Sequence, residues 1–363
     1  MTDNTTAIRV IGFPSLYVQG PGALGQLPAY LERLLPGCRA AAVVDPVVFG
    51  LFEALSVRMP GRLTPIPFGG ECTLVEIDRL VATARQNEAD VIIGAGGGKA
   101  VDSAKAVAQA LDLPIAIVPT IASSDAPTSR LIAIYDENHK IVDVPLLRRN
   151  PDIVLVDTDV LIKAPRRFFV AGIGDAITKK FEVEEAAASG YPNYFQGQST
   201  ACSLQHAQAC LDTSLRDSAA ALDAVAAGKI SPAFERVVEA TVLYSGLAFE
   251  GGGLSVAHGM LRGLTAYPQT LGTLHGELVA YGLLVQLQAT AQPEATVASI
   301  AGFLRRVGLP VRLADIGLAG IDVADMRRIA ELTMTAPYVA ARRPALNADI
   351  LLRAMERVET AAA

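Results

Sequence analysis

Cysteine is scarce in this chain. Its four residues, Cys38, Cys72, Cys202 and Cys210, form no C-x-x-C pair, so neither a zinc knuckle nor a disulfide framework is indicated. Cys38 and Cys202 read as small buried residues in a reducing compartment. Histidine is equally scarce, with His139, His206, His258 and His275 as the full set. No uninterrupted apolar run approaches the ~18 residues that a membrane span needs. Blocks of like charge are also missing. A net charge of −6 with a pI near 5.4 argues against nucleic acid or an anionic membrane as a partner. The start, Met1-Thr2-Asp3-Asn4, is polar and shows no signal-peptide pattern, so a cytoplasmic protein is expected.

Apolar residues are abundant, at 51% of 363 with a mean hydropathy of +0.35. They are spread as short runs and suffice for two substantial cores. So much apolar content without a span also suggests large buried interfaces, hence a homo-oligomer. In the first half, apolar strands alternate with helical spacing. Strands are expected at Ala40–Val44, Thr64–Phe68, Val91–Ile93, Ile115–Val118 and Asp152–Val156, and helices at Val48–Met59, Val75–Gln86 and Lys99–Leu111. Such repeats imply a parallel sheet with helices on its faces. Leu131–Tyr135 and Lys140–Val144, flanking Asp136-Glu137-Asn138-His139, read as a hairpin. From about Val170 the pattern is helical, and a boundary falls near Lys163-Ala164-Pro165. The expected architecture is therefore an α/β domain over 1–165 and an all-α domain over 166–363.

Gly94-Ala95-Gly96-Gly97-Gly98-Lys99 lies between a strand and a helix. Glycines there let backbone approach a ligand, and the helix N-terminus offers N–H groups to a phosphate. Ala100 stands where a Walker A loop has Ser or Thr, and Lys99 stands at the last glycine of G-x-G-x-x-G, so the turn is neither motif. A tight turn of purely structural purpose remains the other reading. Asp45 ends the Ala40–Val44 run. A carboxylate at that position can accept from a ribose 2′-OH and repels a 2′-phosphate, which favours NAD over NADP. It can equally be a turn residue before Pro46. The stretch Pro119 to Ser129 is rich in hydroxyls at the carboxyl end of a strand, where α/β proteins bind ligands, although Ser and Thr are also common in plain turns.

His139 sits in the hairpin turn and reads as solvated, and His206 reads as packed in a helix. His258 and His275 each adjoin glycine in the helical half, and Asp175 opens a helix soon after the boundary. Singly, Asp175 reads as a helix N-cap and each histidine as a packed or surface residue. Together, two histidines and a carboxylate suit zinc with an open position for a substrate oxygen. Three separate segments cannot be assembled by spacing alone.

Several motifs in order resemble the glycerol dehydrogenases, the zinc-dependent branch of the iron-containing alcohol dehydrogenase superfamily. They are Tyr17-Val18-Gln19-Gly20, Gly96-Gly97-Gly98-Lys99-x-x-Asp102-x-x-Lys105, Pro119-Thr120-x-x-x-Ser124-Asp125-Ala126-Pro127-Thr128-Ser129, Asn150-Pro151-Asp152, Ala171-Gly172-Ile173-Gly174-Asp175-Ala176, Gly252-Gly253-Leu254-x-x-Ala257-His258 and His275-Gly276-Glu277-x-Val279-Ala280-x-Gly282. The resemblance implies a dehydroquinate synthase-like fold, an N-terminal NAD-binding α/β domain with a parallel sheet, a helical metal- and substrate-binding domain, and a site in the cleft between them. By resemblance, Asp175, His258 and His275 match zinc ligands, with His258 also placed at the chemistry. Gly96, Gly97, Gly98, Lys99, Asp102, Thr120 and Ser123 match contacts around the pyrophosphate and nicotinamide. Asp45 matches the adenosine-ribose contact, Ser129, Leu131 and Tyr135 match positions near the nicotinamide, and Asp125 matches a catalytic-site position near the substrate hydroxyls. Family members are commonly octamers.

The expected reaction is NAD-dependent oxidation of a small polyol, glycerol or a 1,2-diol, to the hydroxyketone. Partners are then a small alcohol or ketone and further copies of the chain, with no nucleic acid or membrane. Iron-type members resemble Asp-x-x-x-His on the helix carrying the first ligand. Lys179 stands at that histidine position here, which favours a three-ligand zinc site. His258-Gly259-Met260-Leu261-Arg262-Gly263 departs from the usual His-x-x-His-Asn-Gly, Arg342-Arg343-Pro344 replaces the usual His-Asn pair, and Arg130 stands where a small residue is expected. An arginine facing the pocket would point instead to a 2-oxo acid/2-hydroxy acid oxidoreductase. A lyase of the dehydroquinate-synthase type is the more distant alternative, and it needs a basic cluster that is not evident.

Overall fold

Six parallel strands form the first half's sheet, and the computed structural model describes it within residues 8–137 and 139–362. The polar start Met1-Thr2-Asp3-Asn4 and Asn138 lie outside the described residues. The strands are β1 (Leu16–Gly20), β2 (Ala40–Val44), β3 (Leu63–Pro67), β4 (Val91–Gly96), β5 (Ile115–Pro119) and, after a small hairpin of β6 (Ile134–Tyr135) and β7 (Ile141–Asp143), β8 (Ile153–Asp157). Helices α1 (Leu27–Leu34), α2 (Phe49–Arg58), α3 (Leu74–Gln86) and α4 (Gly98–Leu111) alternate with them. Every residue of β2, β4, β5 and β8 is buried, as expected for parallel strands covered on both faces. Leu27 and Leu31 of α1 and Phe52 and Leu55 of α2 pack on Ala42, Val44, Ile93 and Ala95 of the sheet.

The sheet order is β1-β8-β5-β4-β2-β3. From β2 the chain adds β3 on one side and β4 on the other, so the winding reverses between β2 and β4. Such a switch point opens a crevice at the carboxyl ends of the two strands, and those ends carry Asp45 and the glycine turn. The strand β1 is not evident from apolar patterning. It is an edge strand paired with β8 alone, and its residues are only partly buried.

The second half is helical: α5 (Thr158–Leu161), α6 (Arg166–Ser189), α7 (Ala201–Ala227), α8 (Pro232–Glu239), a π turn at Ala240–Tyr244, α9 (Ser245–Gly252), α10 (Val256–Gly259), α11 (Leu261–Leu264), α12 (His275–Ala289), α13 (Glu294–Val307), α14 (Val323–Thr333), α15 (Pro337–Ala340) and α16 (Ala348–Ala362). Two compact units result, one of residues 13–165 and 224–231, the other of 8–12, 166–223 and 232–362. In the helical unit α6 and α12 are central, and α9, α10 and α16 pack on one or the other. Among the described residues no helix is long and apolar enough to cross a membrane. Cys38, Cys72 and Cys210 are buried and in no disulfide, whereas Cys202, expected to be buried, is only partly so.

Candidate functional site

Helix α6 starts at Arg166, so Asp175 sits mid-helix in its third turn and not at an N-cap. Glycines on α6 and α12 bring the two helices together here. A Cβ on Gly276 would lie 1.8 Å from the Ala171 carbonyl oxygen, and one on Gly174 would lie 2.5 Å from the Gly276 carbonyl oxygen. Only glycine at both positions lets α6 and α12 approach this closely. The contact sets Asp175 beside His275, the first residue of α12. Arg167 of α6 fixes the same end. It pairs with both oxygens of Glu277 at 2.6 Å each, and Glu277 accepts from the Leu274 N–H.

Asp175, Lys179 and Glu182 follow one another at helical spacing on one face of α6, and all three are buried. Uncompensated charges there would be costly. The compensation comes from α10 and the segment before it. Glu182 accepts from the backbone N–H groups of Ser255 and His258, at 3.0 and 2.9 Å, and stands 2.6 Å from His258 Nδ1. That leaves Nε2 to face Asp175 Oδ1 at 3.3 Å. His275 Nε2 is 3.9 Å from the same oxygen, and the two imidazole rings have centroids 5.3 Å apart. Asp175, His258 and His275 therefore each offer one ligand atom within 4.8 Å of the others. Asp175 Oδ2 is buried with no hydrogen-bond partner, an orphaned acceptor that a cation would satisfy. Two imidazole nitrogens, one carboxylate and a carboxylate behind one imidazole are the donor set of a divalent transition-metal site. The residues fit such an ion.

The electrostatics agree. Burial opposes the charge on Asp175, but the Lys179 ammonium and the two histidines outweigh it and hold the carboxyl well below its usual range. Burial opposes a charge on His258 as well. Glu182 and Asp175 overcome that cost and the repulsion of Lys179, and its pKa rises to about 9. Glu182 is held low, burial notwithstanding, by His258. Sequence reasoning missed Glu182. The signal was present as a third charge at helical spacing from Asp175 and Lys179 within an otherwise apolar stretch.

In the α/β unit, Gly96 has φ +150°, and a Cβ there would meet Asp45 Cβ at 2.9 Å and Ala100 Cβ at 2.8 Å. The glycine is thus required where β2 and β4 end side by side. Gly97 precedes the first turn of α4, and Gly98 opens it facing Ser124 and Ala126 with room to spare. Asp45 accepts from the Val47 N–H and is partly exposed. Lys99 Nζ pairs with Glu71 at 2.6 Å and lies 5.2 Å above the Tyr135 ring. His139 also reaches Glu71, so it is exposed but partnered. Asp102 is turned inward. Its oxygens meet Lys105 Nζ at 3.2 Å and the Ala133 N–H at 3.1 Å, while Lys105 also donates to the carbonyls of Ala126 and Leu131. This pair ties α4 to the hydroxyl-rich loop, in which Thr120, Asp125 and Ser129 are buried and Ser123 and Leu131 partly so.

Arg262 and Arg342, which could have bound a substrate carboxylate, are engaged elsewhere. Arg262 is exposed and donates to Thr335. Arg342 is buried against Glu185 and donates to the Pro344 carbonyl, and Arg130 reaches the Leu147 carbonyl.

The family model for iron-containing alcohol dehydrogenases matches residues 14–158. A glycerol dehydrogenase of Thermotoga maritima is 43% identical over 328 residues, covering 88% of each chain. One from Escherichia coli O6:H1 is 39% identical and covers 89% of each. The crystal structure of a probable glycerol dehydrogenase from Sinorhizobium meliloti 1021 superposes with a TM-score of 0.90 at 38% identity, over 97% of this chain and 98% of that one.

Proposed function

From the premise that this chain belongs to the iron-containing alcohol dehydrogenase family, we propose that it is an NAD-linked dehydrogenase that oxidises a small polyol, glycerol or a 1,2-diol, to the hydroxyketone. The observation that carries the reading is the convergence of Asp175, His258 and His275 from α6, α10 and α12, with Glu182 behind His258. These three side chains would hold a divalent ion, zinc by the three-ligand donor set. When bound, that ion supplies Lewis acidity to a substrate hydroxyl.

The chain's own residues do the rest. Glu182 accepts a hydrogen bond from the Nδ1–H of His258, so that Nε2 is the nitrogen presented at the site. The N-terminus of α4 and Gly97-Gly98 receive the pyrophosphate, and Lys99 adds a positive charge beside them. Asp45 accepts from the adenosine ribose. Thr120, Ser123, Ser129, Leu131 and Tyr135 orient the nicotinamide, and Asp125 accepts from the substrate hydroxyls. A bound nicotinamide would supply the hydride acceptor, so that oxidation of the alcohol would give ketone, NADH and H⁺. The reading includes a cytoplasmic homo-oligomer, an octamer by family resemblance. The engagement of Arg262 and Arg342 favours a polyol over a 2-hydroxy acid.

Metal analysis of the purified protein, followed by NAD reduction over diols, sugar alcohols and 2-hydroxy acids, tests this. One zinc per chain and fastest turnover of glycerol or a 1,2-diol are expected, and His275→Ala should lose both metal and turnover. Full activity of a metal-free protein would sink the reading.

A further inference from the structure

Helix α6 carries a charged group that the proposed function does not use. Lys179 lies four residues after Asp175, and each side chain is 1% exposed. Its Nζ is 2.6 Å from Asp175 Oδ1 and 3.3 Å from His258 Nε2. These are two of the three groups that a divalent ion would need. The imidazole has little to share. With Nδ1 given to Glu182, Nε2 has one in-plane position, which holds either one hydrogen or one ion. Lys179 and a metal therefore compete for the same carboxylate, and the ammonium stands as a like charge 3.3 Å from the nitrogen that an ion would need.

We propose that Lys179 is an internal cation that competes with the metal for Asp175, stands as a like charge beside His258, and so sets how tightly this chain holds a divalent ion. The inference rests on the metal reading of Asp175, His258 and His275. Without an ion, the ammonium joins His258 and His275 in balancing the buried Asp175 carboxylate. With an ion bound, the pocket must hold a like charge beside it, and the affinity falls below what the three ligands alone would give. The lysine stem is long and flexible. The Phe249 ring, with Nζ 5.5 Å from its centroid, gives the displaced ammonium a neutral, electron-rich face to rest against. Lys179 thus takes part in two balanced arrangements, one with the ion and one without.

Zinc affinity, measured by competition with a chromophoric chelator on metal-stripped protein, tests this for the parent, Lys179→Leu and Lys179→Ala. Neither replacement brings a metal-binding atom, and Lys179→Ala decides the matter should Lys179→Leu fail to fold. Both variants should bind zinc about tenfold more tightly than the parent or better. Added zinc should also raise their melting temperatures by more than it raises the parent's. Zinc bound by all three proteins with equal or weaker affinity in the variants overturns the role of Lys179 alone. No zinc binding by any of them overturns the metal reading, and this inference with it.

Discussion

Two lysine–carboxylate pairs of equal length mark the two halves of the candidate chemistry. Lys99 meets Glu71 at 2.6 Å in the α/β unit, with side chains 45% and 16% exposed. Lys179 meets Asp175 at 2.6 Å in the helical unit, with both side chains 1% exposed. Distance alone would call them the same interaction. Water separates them. The first pair is screened and contributes about 0–1 kcal/mol, so Lys99 can leave Glu71 for a phosphate at little cost. The second stands where removing one partner costs about 3–5 kcal/mol, so any ion that enters must rearrange a balanced cluster. The α/β pair is open to water and easily exchanged, and the helical pair is sealed from it.

That contrast is broken most severely by Gly276→Ala. The new Cβ would overlap the Ala171 carbonyl oxygen, and backbone cannot yield as a side-chain tip can. The α6–α12 contact would open, at a cost of about 3 kcal/mol or more. A melting temperature lower by roughly 6–10 °C is expected, together with loss of bound metal, because Asp175 and His275 would separate. Unchanged thermal unfolding and metal content would show that the close contact does not assemble the cluster. A glycine change on the open side, Gly98→Ala, meets nothing nearer than 3.9 Å and should leave melting almost unmoved.

Glu182→Gln is the next test. It keeps the shape behind His258 and removes the charge, and metal affinity should fall about 10–100-fold. The same substitution has a signature in pH. His258 has a raised folded-state pKa, from 6.5 to about 9. Its stabilisation of the metal-free protein is therefore fully present below pH 6.5 and is lost as pH rises through 9. Melting of the metal-free parent should decline across that window, and Glu182→Gln should flatten the decline. A parent whose melting is level from pH 6 to 9 would remove Glu182 from the account.

The two halves also differed in how much could be read from sequence. The strands β2, β4, β5 and β8 are buried on both faces and so appear as unbroken apolar runs, whereas β1, half-covered at an edge, has no such pattern. The glycine turn is contiguous, so its ligand-binding geometry is written in one segment. The metal cluster draws on α6, α10 and α12. No local pattern joins residues 175, 258 and 275, and family resemblance alone suggested the set. In sequence Asp175 reads as opening a helix, because an aspartate soon after a boundary looks like an N-cap, whereas the helix starts nine residues earlier at Arg166. Lys179 was visible as a departure, but its place among the ligands required the fold.

The smallest effect should come from the exposed side of the comparison. Asp45 stands at the switch point, beside Gly96, and its carboxylate also caps the Val47 N–H. Asp45→Asn keeps an oxygen for that cap and removes only the charge. If the carboxylate repels a 2′-phosphate through water, the screened interaction is worth about 1–2 kcal/mol. The ratio of kcat/KM for NAD to that for NADP should then fall about tenfold, with melting temperature and metal content unchanged. A larger loss of stability would mean that the cap, and not cofactor choice, is what Asp45 provides. An unchanged ratio would place the ribose elsewhere along the crevice. Either result would be confined to the α/β unit, because a charge in water acts over a short range. The buried cluster of α6 has no such insulation from its own neighbours.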